Sequence, residues 1–142
     1  MSVFEEVKSK KKHKFPRDLH FHVGPVESLH RLDRVWKAYQ KYRGYDDHLD
    51  FRETCKIDPE NKRIVRVYHR GKIIAFSILR IYPIPVSLQF AWDYEKPKLR
   101  LGIKSLENEC AWAKNNGYKY LYLGQDDRYK SQFKGYEVLE PL

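Results

Sequence analysis

The chain has 142 residues, of which 42% are hydrophobic and 15% aromatic, and its 28 Lys and Arg against 19 Asp and Glu give a net charge of +9. That length and apolar content fit one globular domain with a real core and argue against a disordered chain. No run approaches the roughly 20 apolar residues needed to span a bilayer, and the N-terminus lacks an apolar signal-peptide core, so no membrane role is expected.

The positive excess suggests a polyanionic partner such as RNA, DNA or a phosphorylated cofactor, with a generically basic surface as the alternative. Cys55 and Cys110 are the only cysteines. Two thiols cannot build a four-thiolate zinc or iron–sulfur site, and a reduced, cytoplasmic protein is expected rather than a disulfide framework.

Residues 1–17 read as a basic extension, carrying Lys8, Lys10, Lys11, Lys12 and Lys14 and ended by Phe15-Pro16. Residues 18–142 read as a single domain. The alternation Leu19-His20-Phe21-His22-Val23 predicts a short strand closed by Gly24-Pro25. His20 and His22 would share one face of it, but nothing nearby completes a ligand set, and no metal is expected.

Val26, Leu29, Leu32, Val35, Trp36, Tyr39 and Tyr42 follow three-and-four spacing, which predicts an amphipathic helix leaving at Arg43-Gly44. Residues 45–58 are polar, with a short helix near Phe51, and Asp58-Pro59-Glu60-Asn61 is turn chemistry. Residues 63–68 and 72–82 predict a hairpin through His69-Arg70-Gly71. Pro83 and Pro85 interrupt it, because proline cannot donate to a sheet ladder. Residues 86–92 predict a third strand. Leu99, Ile103, Leu106, Cys110 and Ala113 mark the buried face of a second long helix, opening at Gly102 and ending at Asn116-Gly117. Residues 118–123 predict a fourth strand and 136–139 a terminal one. The fold class is α/β (α+β): a mixed sheet with helices packed on both sides. Strands 86–92 and 118–123 should lie adjacent and parallel, splayed at their C-terminal ends.

Between 86–92 and the second helix lies a cationic turn with Lys96, Lys98, Arg100 and, just inside the helix, Lys104. A strand feeding through such a turn into a helix N-terminus forms an anion site, where free backbone N–H groups and the positive end of the dipole converge.

The order of elements is that of the GNAT acyltransferases. The wording resembles the C-terminal catalytic domain of arginyl-tRNA–protein transferases. Trp36-Lys37-Ala38-Tyr39-Gln40 resembles that family's aromatic-Lys-x-Tyr-Gln helix, and Ile73-Ile74-Ala75 its central hairpin. Ala91-Trp92-Asp93-Tyr94 stands where the family has Phe-Tyr-Asp-Pro. Tyr120-x-Tyr122-Leu123-Gly124 and Tyr129-Lys130-x-x-Phe133 are similar to its Tyr-Leu-Gly and Tyr-Lys-x-x-Phe. The likeness runs from about Leu32 to Glu137 and covers the catalytic half alone, so substrate selection could come from a partner chain, differ from arginine transfer, or be lost. It implies transfer of an amino acid from charged tRNA to an amine, such as the N-terminal α-amine of a protein. No cofactor is required beyond aminoacyl-tRNA as donor. A small acetyl-CoA-dependent N-acetyltransferase and a non-catalytic RNA- or protein-binding domain are the alternatives.

Leu101, Gly102 and Lys104, with Arg100 and Lys98, form the expected phosphate-binding turn; GNAT enzymes place a second small residue where this chain has Lys104. The alternative for Gly102 is a glycine that only eases the strand-to-helix turn. Asp93 could orient or deprotonate the attacking amine, or be a loop carboxylate paired with Lys96 or Lys98. Gln125 is the second candidate catalytic group, and Asp126 could bind a cationic side chain or sit in a solvated loop. Tyr118, Tyr120 and Tyr122 are expected to share one strand face, which could stack an adenine or simply pack. Lys130 is a further phosphate candidate.

Overall fold

The computed structural model describes residues 19–44, 50–93 and 101–123. The expected basic extension 1–17, the turn residues 94–100 and the terminal strand 136–139 lie outside the described residues. The described elements are β1 (Leu19–Gly24), α1 (Asp33–Arg43), α2 (Phe51–Lys56), β2 (Lys62–His69), β3 (Lys72–Arg80), β4 (Val86–Trp92) and α3 (Leu101–Asn115).

The strands form one antiparallel sheet in the order β1-β2-β3-β4. Its register aligns Phe21 with Val67, Val67 with Ala75, and Ala75 with Trp92. The parallel component is carried by a bridge between Val86 and Tyr122. There Ser87 N donates to Tyr122 O at 2.7 Å and Tyr122 N donates to Pro85 O at 3.0 Å. Residues 118–123 thus run beside the start of β4 in parallel, as expected, but pair through isolated bridges rather than a full ladder.

β3 is the strand buried on both sides. Phe76 and Ile78 join Ile64 of β2 against Leu32, Val35 and Trp36 of the α1 segment and Phe51 and Cys55 of α2. Leu79 joins Val65 against Leu106, Cys110 and Ala113 of α3 and Leu121. The period-two alternation of a strand sends these two sets to opposite faces. Each fully buried Ile, Leu or Phe contributes about 1.5–3 kcal/mol. Helices therefore cover the sheet on both sides, as the hydrophobic spacing anticipated.

One expectation fails at the first helix. The α-helix begins at Asp33, not near Val26, and is preceded by a 3-10 turn over Leu29–Leu32. Ser28 stands at φ 52, a left-handed conformation that an α-helix cannot pass through. Val26 and Leu29 still pack on the core. Their spacing reports burial rather than helix. β3 also ends at Arg80, two residues before the expected Tyr82, where the Pro83 and Pro85 segment begins.

The hairpin between β2 and β3 turns through Arg70 at φ 52 and Gly71 at φ 76, the two positive values of a type I′ turn. A Cβ on Gly71 would meet nothing within 4 Å, so only backbone conformation resists substitution there. Gly71→Ala should lower stability by roughly 1–2 kcal/mol in urea unfolding.

Cys110 is fully buried and its thiol is pushed up to about 12, first by burial and then by the neighbouring Glu109 charge. The folded value lies above the ordinary 9.0, so this contribution is complete below pH 9 and is lost as pH rises towards 12. Cys110→Ala should flatten the alkaline loss of stability across that window, read from urea midpoints at successive pH values.

Candidate active site

The end of β4 carries Asp93, whose backbone N donates to Ile74 O at 2.9 Å and so continues the sheet pattern one residue past the strand. Alternation puts Asp93 on the same side as Ala91, which packs with α1. Arg34, in the first turn of α1, donates from Nη1 to Asp93 Oδ2 at 2.9 Å and from Nη2 to Ile73 O at 2.8 Å. The Asp93 side chain is 2% exposed and that of Arg34 is 43% exposed. The sequence expectation paired Asp93 with Lys96 or Lys98, both outside the described residues; its described cation is Arg34, 59 positions away. No local signal connects the two.

α1 is held in place at the same end. Arg52 of α2 bonds Asp33 of α1, and also Asp50 at 3.2 Å, so one guanidinium ties the two helices. Its proton is held more tightly than usual, first by the hydrogen bond to Asp33. Further along α1, the Tyr39 and Trp92 rings lie 5.0 Å apart, and Phe90 stacks on Trp92 at 4.9 Å. Arg43 lies over Tyr39 at 5.9 Å. These half-buried aromatics join α1 to the end of β4.

α3 starts at Leu101, so Leu101, Gly102 and Lys104 occupy its first turn, which contains no acidic residue. Leu101 is buried and packs with Val67, Ile74 and Ala75. Its side chain anchors the helix, leaving its backbone as the part suited to an anion. Lys104 Nζ lies 3.8 Å from Glu107, a long and partly exposed contact. Lys98, Arg100, Gln125, Asp126 and Lys130 lie outside the described residues, as does any cleft between Asp93 and Gln125.

The expected three-tyrosine face needs correction. Tyr118 packs beside Trp112 with ring centroids 6.1 Å apart and donates from its hydroxyl to Ile81 O at 3.1 Å. Its N–H still bonds Ala113 O at 3.0 Å, so it belongs to the turn that closes α3, where Gly117 has φ 84. Alternation begins only afterwards. Leu121 is buried, while Tyr120 and Tyr122 are 46% and 36% exposed. Those two remain together and available for stacking.

Sequence reading also passed over an acid inside the core. Glu109 of α3 is buried and accepts a hydrogen bond from the Ser77 hydroxyl of β3. One turn earlier, the Ser105 hydroxyl is buried and makes no hydrogen bond among the described residues. Among the described residues no group of three or more His, Cys, Asp or Glu is placed to hold a metal ion, and no helix is long and apolar enough to cross a membrane.

A β1–α1–α2–β2–β3–β4–α3 order, with a parallel contact beside β4, is the architecture of the GNAT fold. An aminoglycoside acetyltransferase from an uncultured soil metagenomic sample matches with a TM-score of 0.65 at 12% identity, covering 91% of this chain and 96% of that one. A GNAT family acetyltransferase from Staphylococcus aureus matches with a TM-score of 0.62 at 18% identity, over 87% of this chain and 95% of its own. A Trypanosoma brucei acetyltransferase gives 0.59 at 14% identity, over 88% and 99%. No curated protein matches this chain. The family model for the C terminus of arginine-tRNA-protein transferase matches residues 32–140. The chain belongs to that family, and its membership makes it a transferase.

Because Asp93 is buried and Arg34 is not, the two sides of their ion pair should respond differently. Arg34→Ala takes a cationic partner from a buried carboxylate, whereas Asp93→Asn keeps an acceptor for the guanidinium and removes the charge. Urea unfolding should show a loss on the order of 1–3 kcal/mol for Arg34→Ala and a smaller one for Asp93→Asn.

Proposed function

We propose that this chain is an aminoacyl-tRNA–protein transferase-like enzyme, moving an amino acid from charged tRNA to an amine such as the N-terminal α-amine of a protein. The observation that carries the reading is the family match, which spans every element from α1 onward and so includes Arg34, Asp93 and the first turn of α3. The 2′/3′ ester of the donor is already activated. The enzyme needs to align amine and carbonyl and to stabilise the oxyanion, and no nucleophilic side chain is required. In this reading Asp93 and Gln125 serve the reacting groups. Leu101, Gly102 and Lys104, with Lys98, Arg100 and Lys130, hold tRNA phosphates; Tyr120 and Tyr122 stack a base; and Asp126 meets a cationic side chain. Lys104 stands where a pyrophosphate would need close backbone approach, which supports tRNA over acetyl-CoA as donor. A partner chain contributing to substrate selection and a cytoplasmic setting complete the proposal, the latter in keeping with two buried cysteine thiols.

The test is incubation of the protein with labelled aminoacyl-tRNAs and, separately, labelled acetyl-CoA. Transfer from charged tRNA to an amine acceptor is expected. Transfer from acetyl-CoA alone would assign the chain to the N-acetyltransferases, and tRNA binding without transfer to the binding domains. Lys104→Ala and Arg100→Ala should each weaken tRNA binding and reduce the slope of log K against log salt by about 1, because one fewer counterion is released.

A further inference from the structure

The group that the end of β4 presents outward is a cation. Asp93 is buried, and its charge is met by the Arg34 guanidinium, which stands 43% exposed above it. That guanidinium is fixed on two sides, by Asp93 Oδ2 at 2.9 Å and by the Ile73 carbonyl at 2.8 Å. Asp93 is itself bonded to the adjoining carbonyl of Ile74 at 2.9 Å. Both members of the pair therefore rest on the same stretch of β3 and keep a constant relation to one another. The other acid at the start of α1, Asp33, is engaged by Arg52. A guanidinium has five N–H donors in a rigid fork, so the exposed side of Arg34 retains donors beyond the two in use.

Resting on the acyl-transfer reading above, we propose that Arg34 is a catalytic residue that donates hydrogen bonds to the oxygen of the reacting ester carbonyl, and that Asp93 is its positioning residue. In the step it serves, the amine lone pair forms the C–N bond and the carbonyl π pair moves onto oxygen, which Arg34 receives. On collapse the C–O bond to ribose breaks and its electron pair leaves with the ribose oxygen. The amine loses one proton and the ribose oxygen gains one. A donor already oriented by two bonds needs no rearrangement as charge develops, which is the condition for strong oxyanion stabilisation. The proton in this step passes from the attacking amine to the ribose oxygen, so the pH dependence falls to the amine.

The experiment uses the full chain and Arg34→Met, Arg34→Lys and Asp93→Asn. Transfer from labelled aminoacyl-tRNA is followed together with calorimetric binding of two aminoacyl-adenosine analogues, one a planar amide and one a tetrahedral phosphonate. Arg34→Met is expected to lower kcat about 100-fold with little change in KM. Arg34→Lys should recover part of the loss. Asp93→Asn should lower kcat less and leave the shape of the pH profile unchanged, which a general base at that position would not. Wild type should prefer the phosphonate, and Arg34→Met should bind both analogues alike. A folded Arg34→Met with wild-type kcat, or with a change in KM alone, overturns the assignment while leaving the tRNA reading intact. Phosphonate preference without transfer from any charged tRNA supports Arg34 and removes the tRNA donor. Neither transfer nor preference overturns both. If Arg34→Met fails to fold, Arg34→Lys and the wild-type analogue preference decide.

Discussion

β3 carries large apolar residues on both of its faces, and a strand of that kind is stable only when each face is covered. Phe76 and Ile78 draw α1 and α2 onto one side, while Leu79 draws α3 onto the other. Because the side-chain period is two, a register slip of one residue would send each set to the opposite face, against helices that do not fit it. The pairing of β2, β3 and β4 is therefore fixed by burial, and with it the position of the β4 end. Arg34 arrives there because Val35 and Trp36, its neighbours in α1, must reach Phe51 and Phe76.

The fully buried charged residues, Lys62, Arg66, Asp93 and Glu109, each have a defined partner. Lys62 is buried and donates from Nζ to Thr54 O at 2.6 Å and to Ile57 O, satisfying carbonyls at the C-terminal end of α2. Arg66 is buried and reaches Glu27 O at 2.6 Å, holding down the segment before α1. Glu109 meets Ser77. A buried charge without such partners costs several kcal/mol, so each contact restricts the alternatives open to the chain. The Arg34–Asp93 pair differs from these in one respect, since its cation is half outside. A guanidinium that served packing alone would gain more from full burial or full hydration. Its intermediate position fits a donor held ready for a substrate oxygen.

The same geometry connects the fold to transfer chemistry. The parallel contact between Val86 and Tyr122 sits at the beginning of β4, and Asp93 lies at the opposite end of that strand. α3 then starts within eight positions of Asp93, at Leu101, with an acid-free first turn. In the proposed reading, a phosphate at that turn and a carbonyl at Arg34 are served by one short stretch of sequence.

Much of this was legible in the sequence, because it follows from local periodicity. The alternation of residues 63–68 and 86–92, the Arg70-Gly71 turn and the spacing of Leu106, Cys110 and Ala113 specify strands, hairpin and buried helix face without reference to distant residues. The ordered motifs from Trp36 to Phe133 carried the family as well. What the sequence could not decide were matters of long-range contact. The apolar spacing at Val26 and Leu29 looks helical although Ser28 turns the backbone left-handed there. The tyrosine alternation looks continuous although Tyr118 is still bound to the end of α3. Above all, Asp93 looks like a carboxylate open to a cationic turn. Its burial, and its pairing with an arginine 59 positions earlier, exist only once β3 has brought α1 and β4 together. A charge pair of that separation leaves no trace in local sequence, because the free energy that forms it comes from the packing of other residues.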